Sequence, residues 1–166
     1  MSLRTLLFPT VVLAFLVVAA PAGALGAFAH WQNSEDMDSG FGFGVKHKFQ
    51  IVPVLSAEAR AAWIGYGSKG SLASLNMYPL EAIAKAKLGL LYGGAGVGWY
   101  PFSGDLSPKA SVGGTILAGG EFTLFGLGAF AEGRYLFLEA DEDDSIGTKR
   151  KMDGFGASLG VIIPVG

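Results

Sequence analysis

Residues 129–144, AFAEGRYLFLEADEDD, set two charged side chains inside a run of apolar and aromatic ones. Side chains two residues apart lie on the same face of a β-strand. Glu132 and Arg134 therefore share one face, and Tyr135 and Phe137 share the opposite face. The stretch predicts a two-faced strand, with lipid against its apolar side and a polar interior against its charged side.

Composition limits the alternatives before any further motif is considered. The chain has 166 residues, which fits one domain, and 12 basic against 14 acidic side chains. A formal net charge of −2 gives no basic surface for nucleic acid, so no nucleic-acid partner is expected. The absence of cysteine excludes a disulfide scaffold and thiolate metal sites. The 26 glycines follow no three-residue period, which excludes collagen.

The N-terminal segment differs from the rest of the chain. It carries one positive charge, at Arg4, then an apolar run to Val18, then small residues. This order predicts a cleavable signal peptide over residues 1–24, with cleavage after Ala24. Residues 25–166 would then form the mature barrel domain. The alternative is an uncleaved membrane anchor.

A period of two organises the remainder. In GFGFGVKHKF, for example, Phe41, Phe43 and Val45 alternate with glycines and Lys46. Alternation of this kind is typical of strands. It predicts an all-β fold of eight strands, at residues 25–32, 40–49, 54–64, 71–83, 88–100, 110–123, 127–140 and 152–165. Most have the roughly 9–11 residues that a tilted strand needs to cross a bilayer.

The predicted connections alternate in kind. Those after the second, fourth and sixth strands are short (QIVP, AKAK and LFG), whereas those after the first, third, fifth and seventh are longer and polar. Tight turns at one end and polar loops at the other are typical of an antiparallel up-and-down barrel of the outer membrane. The fourth strand is the least regular, because Pro79 and Glu81 interrupt its alternation, and a bend or bulge is predicted there.

Four aromatic residues recur at equivalent places. Trp31, Trp63, Trp99 and Phe137 each come shortly before one of the polar loops, and all four fall on the apolar face of their strand. Rings at such positions straddle lipid and water. They predict an aromatic girdle at the outer boundary of the membrane.

The face opposite the girdle must be enclosed. An eight-stranded barrel is only wide enough for side chains to fill its interior. The inward face carries Lys48 and six further charges, predicted to form a lumen charge network: Lys46, Glu58, Arg60, Glu121, Glu132 and Arg134. Four bases against three acids nearly cancel, as enclosed charges must. Glycines at positions 94, 96 and 98 would leave room for these long side chains, and an open pore is not expected.

The chain resembles the small bacterial outer-membrane β-barrel family, of the OmpA/OmpX type. The stretches that carry the resemblance are GFGFGVKHKF, LSAEARAAW, LNMYPLE, GGAGVGWYPF, AGGEFTL and FAEGRYLFLE. The resemblance covers residues 25–166 and implies export through the periplasm to the outer membrane. It implies three partners: outer-membrane lipid, lipopolysaccharide and the barrel assembly machinery. Members commonly end in an aromatic residue, whereas this chain ends VIIPVG.

The function predicted from these features is that of an integral barrel with a side-chain-filled polar lumen and a structural or interaction role at the cell surface. The alternatives are a narrow channel for small solutes and, less favoured, an enzyme at the rim that modifies lipid A. The rim enzyme would use His30 with Ser34, Glu35 or Asp36 from the following loop. A soluble lipocalin-type barrel would need the reverse arrangement of apolar and charged faces.

No cofactor, metal or catalytic residue is predicted. His30 and His47 are isolated and lack the spacing of zinc ligands. The acids at 141–144 lack the pattern of an EF-hand loop and are interpreted as a solvated loop. A further hypothesis has them contact lipopolysaccharide phosphates through divalent cations.

Overall fold

The computed structural model describes residues 23–35, 37–68, 71–104, 108–141 and 149–165. Nearly all of the predicted signal peptide lies outside these ranges, so the signal peptide and its cleavage site stay predictions. Among the described residues, no helix is long and apolar enough to cross a membrane.

All regular structure in the described ranges is β. The strands are β1 (Gly23–Gln32), β2 (Gly40–Val52), β3 (Leu55–Ser68), β4 (Ser71–Met77), β5 (Leu80–Leu88), β6 (Leu91–Tyr100), β7 (Phe102–Gly104), β8 (Ser111–Leu124), β9 (Leu127–Phe137), β10 (Glu139–Asp141), β11 (Lys149–Lys151) and β12 (Gly154–Val165). Their boundaries agree with the predicted strands to within a few residues, apart from the ends of the second, third and fourth.

The sheet closes on itself. Its order is β2-β1-β12-β9-β8-β6-β5-β3, and β3 pairs back with β2. Every pairing in it is antiparallel. β4 continues β5, and β7 continues β6, so that β4 and β7 pair with each other beyond the main barrel. The fold is a closed eight-stranded antiparallel barrel, which confirms the predicted fold class and leaves no free edge.

The strands tilt strongly around the barrel. One circuit of paired residues runs through Gly23, Phe49, Ala57, Ala84, Ala95, Ile116, Tyr135 and Phe155. The circuit returns to β1 at Asn33, whose N–H donates to the Phe155 carbonyl at 2.8 Å. The register thus advances ten residues per turn (33 − 23 = 10). A stagger of this kind is what closing a tilted sheet requires.

Three two-residue turns join strands at one end of the barrel. Each turn lies between the two residues of the last strand pair of its hairpin: Val52–Leu55, Leu88–Leu91 and Leu124–Leu127. The prediction of a turn at AKAK was wrong, because β5 continues through these residues to Leu88. The turn forms instead at Gly89 and Leu90, where the positive φ of Gly89 (63°) suits a tight hairpin.

The predicted irregularity at Pro79 is present but smaller than expected. The ladder is interrupted between β4 and β5, at Tyr78 and Pro79. Burial nevertheless keeps its period of two through the break, with Met77, Pro79, Glu81 and Ile83 all buried. The prediction that the alternation fails here was therefore wrong. A proline removes one ladder hydrogen bond without turning the neighbouring side chains to the other face.

Candidate functional site: the barrel interior and its aromatic ring

Arg60 stands at the centre of a buried cluster of charges. Its guanidinium is bidentate to Glu132, with one N–O distance of 2.7 Å, and its Nε donates to Glu58 from the same strand. All three side chains are at most 1 % exposed. Paired, charge-assisted hydrogen bonds of this kind offset much of the cost of enclosing the ions.

Two lysines and a tyrosine complete this central layer. Lys85 Nζ lies 2.9 Å from Glu58 and 3.4 Å from Glu132. Tyr92 donates its hydroxyl proton to Glu132 at 2.8 Å. Lys46 Nζ lies 3.4 Å from Glu58 and 3.1 Å from the centre of the Phe130 ring, whose face attracts a cation.

A second group lies on the loop side of this layer. Arg134 binds the Glu81 carboxylate through both of its terminal nitrogens, one at 2.9 Å. Tyr100 donates to the same carboxylate at 2.7 Å. Gly98 makes room for these groups, since a Cβ there would stand 2.8 Å from the Tyr100 hydroxyl and 2.9 Å from Glu81 Cγ.

A third group lies toward the turns. Lys48 Nζ is 2.8 Å from Glu121, and Lys87 Nζ approaches the same carboxylate at 3.4 Å. Lys87 is the most accessible of the three, with 32 % of its side chain exposed. Ion pairs therefore occupy the interior from the turn end to the level of Arg134.

The structure brings four of the six predicted network residues into the central layer: Lys46, Glu58, Arg60 and Glu132. The other two, Arg134 and Glu121, belong to the groups on either side of it. Sequence reasoning missed Glu81, Lys85 and Lys87. They share the parity of Met77, so counting in twos across Pro79 would have found them. With these residues the interior holds six bases and four acids in the described ranges, a net excess of two positive charges where the prediction had an excess of one.

The interior changes character toward the loops. One cluster there contains nine buried residues, each at most 3 % exposed: Met37, Ile64, Tyr66, Leu75, Met77, Tyr100, Leu136, Leu138 and Met152. The prediction of a polar interior therefore holds for only part of the barrel. Between the two parts lies His30, hydrogen-bonded to Ser158 at 2.8 Å and to Gln32 at 3.2 Å.

The four predicted girdle residues all lie on the outer face. Allowing for the stagger of the strands, they stand within about two residues of one level. Trp63 is not at its strand end as predicted, because β3 runs five residues further to Ser68 (68 − 63 = 5).

Three further rings share this level on the outer face: Phe41, Tyr78 and Phe155. Trp31 pairs with Phe41, and the Trp63 and Phe43 rings are 5.2 Å apart. Seven of the eight barrel strands thus carry an aromatic residue here, and β8 carries Val112. We call these seven residues the aromatic ring; Phe41, Tyr78 and Phe155 were missed because none of them directly precedes a predicted loop.

The outer face also changes across the aromatic ring. On the turn side it exposes apolar side chains such as Val97, Ile116 and Leu159, which are 51–67 % exposed. On the loop side it presents polar ones, including Asn76 and Ser103. Inside and outside therefore exchange polarity at the same level of the barrel.

The described residues show little of the predicted rim chemistry. The hydrogen bonds of His30 to Ser158 and Gln32 hold its ring inside the barrel. His47 lies on the outer face and stacks on Phe49 at 4.2 Å. Asp36 and the acids at 142–144 lie outside the described residues. Within the described ranges, no group of three or more His, Asp or Glu side chains is arranged to hold a metal ion.

Comparisons with known proteins identify the fold. No family model and no curated protein matches the chain. Among solved structures it is similar to the outer membrane protein OprG of Pseudomonas aeruginosa, with a TM-score of 0.66 and 16 % identity over 88 % of this chain and 96 % of that one. Neisserial surface protein A gives a TM-score of 0.61 and 18 % identity, covering 86 % and 95 %. Ail of Yersinia pestis gives 0.55 and 16 %, covering 89 % and 100 %.

Proposed function

We propose that this chain is an integral outer-membrane protein whose barrel spans the bilayer from the turns to the aromatic ring. It has the fold of the small outer-membrane barrels it is similar to. The observation that carries the proposal is the joint arrangement of its two faces: the wall that encloses ten charged groups carries an apolar outer surface.

The outer surface is incompatible with water on its turn side. Among the residues that the structure describes, twenty-four large apolar side chains are at least 37 % exposed, most of them between the ring and the turns. Soluble monomers rarely expose contiguous apolar patches above a few hundred Å². On β9, ten residues separate Leu127 from Phe137 in the ring (137 − 127 = 10), a rise of about 25 Å for a tilted strand. Outer-membrane barrels have an apolar band of about that height.

The role that fits this interior is structural, or one of contact at the cell surface, rather than passage or chemistry. Ion pairs occupy the lumen on the turn side, and an apolar core closes it beneath the loops. Outer-membrane lipid and lipopolysaccharide are the proposed partners of the loop end and of the apolar belt, by which we mean the exposed apolar outer face between the turns and the aromatic ring. The barrel assembly machinery is the proposed partner during insertion. The acids at 141–144 remain a hypothetical cation-mediated contact with lipopolysaccharide phosphates.

Heat-modifiable migration tests the proposal directly. The chain is expressed with its N-terminal segment, and the membrane fraction is divided into boiled and unboiled samples before electrophoresis in detergent. We expect the protein in the outer-membrane fraction, with the unboiled sample migrating differently because the closed barrel resists the detergent. Recovery in the soluble fraction with identical migration of both samples would contradict the proposal.

A further inference from the structure

The turn end of the barrel has an unusual surface. Its three two-residue turns each present an apolar side chain to the outside: Val54 is 54 % exposed, Leu90 65 % and Phe125 99 %. Each turn is flanked by a strand-end pair of apolar residues, namely Val52 with Leu55, Leu88 with Leu91 and Leu124 with Leu127. Turns that face water are normally built from polar residues and glycine.

Phe125 also adopts a costly backbone conformation. Its φ is +50°, the only positive φ of a non-glycine residue in the described ranges, and Gly126 follows at +79°. Two successive positive φ angles define the hairpin turn that favours Asn-Gly or Gly-Gly. A bulky L-residue is sterically disfavoured in this region relative to an extended or right-handed conformation. A fully exposed phenylalanine in that place needs a compensating contact.

We propose that the turn end is embedded in the lipid of the periplasmic leaflet, with Phe125, Leu90 and Val54 inserted at its boundary. The inference rests on the proposed outer-membrane location. Its occupant is lipid because the turns continue the apolar belt without a polar break: on β8, Phe122 and Leu124 are exposed directly before Phe125. A belt of about 25 Å measured downward from the aromatic ring ends at the level of these turns.

The charges near this end fit the same boundary. Lys48, Glu121 and Lys87 point into the lumen rather than outward, and Lys87 reaches partly into solvent at the mouth. Polar groups at the boundary are thus enclosed by a rim of apolar turns. Lipid headgroups and water can solvate the lysine while the rim contacts acyl chains, as amphipathic side chains do at interfaces.

Single-cysteine labelling tests the depth of the turns, since the native chain has no cysteine to interfere. Phe125→Cys, Leu90→Cys, Val97→Cys and Ala110→Cys are each refolded as the full barrel into phosphatidylethanolamine–phosphatidylglycerol vesicles and spin-labelled. Collision with oxygen and with a water-soluble nickel chelate is then measured. Val97, at 63 % exposure in the belt, serves as the lipid control. Ala110, exposed at the loop end, serves as the water control.

The expected result is an oxygen-to-nickel ratio at Phe125 and Leu90 several-fold above that at Ala110 and close to that at Val97. A turn-residue ratio equal to that of Ala110, with Val97 still in lipid, would overturn the embedded turn end and leave the proposed location intact. A Val97 label in water would instead contradict the proposed location, and the inference with it.

A substitution with opposite expected signs provides a second test. Asn accepts a positive φ readily, so Phe125→Asn relieves backbone strain. If lipid contact is the reason for the phenylalanine, the substitution still lowers the folded-to-unfolded ratio in vesicles, by about tenfold for the loss of a buried aromatic side chain. An increase in that ratio would show that Phe125 contacts nothing that compensates its conformation. Gly126→Asn, which keeps Phe125, is the matched control for the turn itself.

Discussion

The two parts of the barrel on either side of the aromatic ring are built from the same strands but with opposite interiors. On β3, Glu58 and Arg60 face inward on the turn side, whereas Ile64 and Tyr66 face inward on the loop side. On β9, Glu132 and Arg134 face inward on the turn side, and Leu138, just beyond the end of the strand, is buried on the loop side. The strand and its parity do not change; in the proposed membrane location, only the medium outside the wall does.

This difference shows that the interiors of the two parts meet different physical requirements. Where water lies outside, the hydrophobic effect draws apolar groups inward, and the nine-residue cluster beneath the loops resembles the core of a soluble protein. Where lipid lies outside, apolar groups gain nothing by turning inward. The interior there needs only to satisfy its polar groups, which paired charges do. Substitutions in the two parts should therefore destabilise the barrel for different reasons.

The largest effect is expected on the turn side. Arg60→Met removes the bidentate partner of Glu132 and one donor to Glu58. Glu132 is then left with the Tyr92 hydroxyl and a longer contact to Lys85 at 3.4 Å. Breaking a buried ion pair in this way costs about 3–5 kcal/mol. Urea unfolding in lipid vesicles, followed by tryptophan fluorescence, measures the change in the free energy of unfolding.

The matched control for Arg60→Met removes a charge of each sign. Arg60→Met combined with Glu132→Gln should be less destabilised than the single variant, because the group that loses both guanidinium hydrogen bonds is then no longer charged. Equal or greater loss in the double variant would argue that the pair contributes packing rather than electrostatic compensation.

A smaller effect is expected on the loop side, and it should follow the rules of a soluble core. Leu136 is 1 % exposed within the apolar cluster, so Leu136→Ala removes buried side-chain volume at a cost of about 2–4 kcal/mol. Leu159→Ala, at a lipid-facing site that is 67 % exposed, should cost under about 1 kcal/mol. The same urea titration compares them. Equal losses would mean that the apolar cluster does not act as a core.

A glycine at the boundary of the two parts should have an intermediate to small effect. Gly98→Ala places a Cβ 2.8 Å from the Tyr100 hydroxyl and 2.9 Å from Glu81, which forces this pair to shift. We expect a loss of about 1–3 kcal/mol. Gly114→Ala on neighbouring β8 faces outward, where the nearest atom lies 3.9 Å away, and should be close to neutral. If Gly98→Ala left the free energy of unfolding unchanged, the interior at this level would have room for an added methyl group.

The last prediction concerns ion conductance, which should be absent in the unmodified protein. Paired charges on the turn side and an apolar core on the loop side both obstruct the lumen, so the purified barrel in planar bilayers should give no stable single-channel steps. Arg60→Met, which removes a guanidinium group from the central layer of charges, serves as the comparison. Regular steps from the unmodified protein would favour the alternative of a narrow channel over a filled barrel.

Much of this architecture can be predicted from the sequence, because the two-residue alternation of a strand does not depend on which strands lie beside it. The eight strands, the faces of Arg60 and Arg134, and the placement of Trp31 and Trp99 on the outer face all follow from parity alone. The misjudged places are those where a local signal was allowed to override that period. Pro79 was interpreted as breaking the alternation, which concealed Glu81 and Lys85, and the polar appearance of AKAK was mistaken for a turn.

The sequence by itself determined which face each residue takes, since alternating sides is a property of the extended backbone. It could not determine which enclosed residues meet. Glu132 is bound to Arg60 across 72 positions of chain, and Arg134 to Glu81 across 53, because the ten-residue stagger of the closed barrel sets their levels. The tertiary structure likewise decided where the interior changes from charged to apolar. That boundary is a level in space shared by eight tilted strands, and it falls at a different position in each of them.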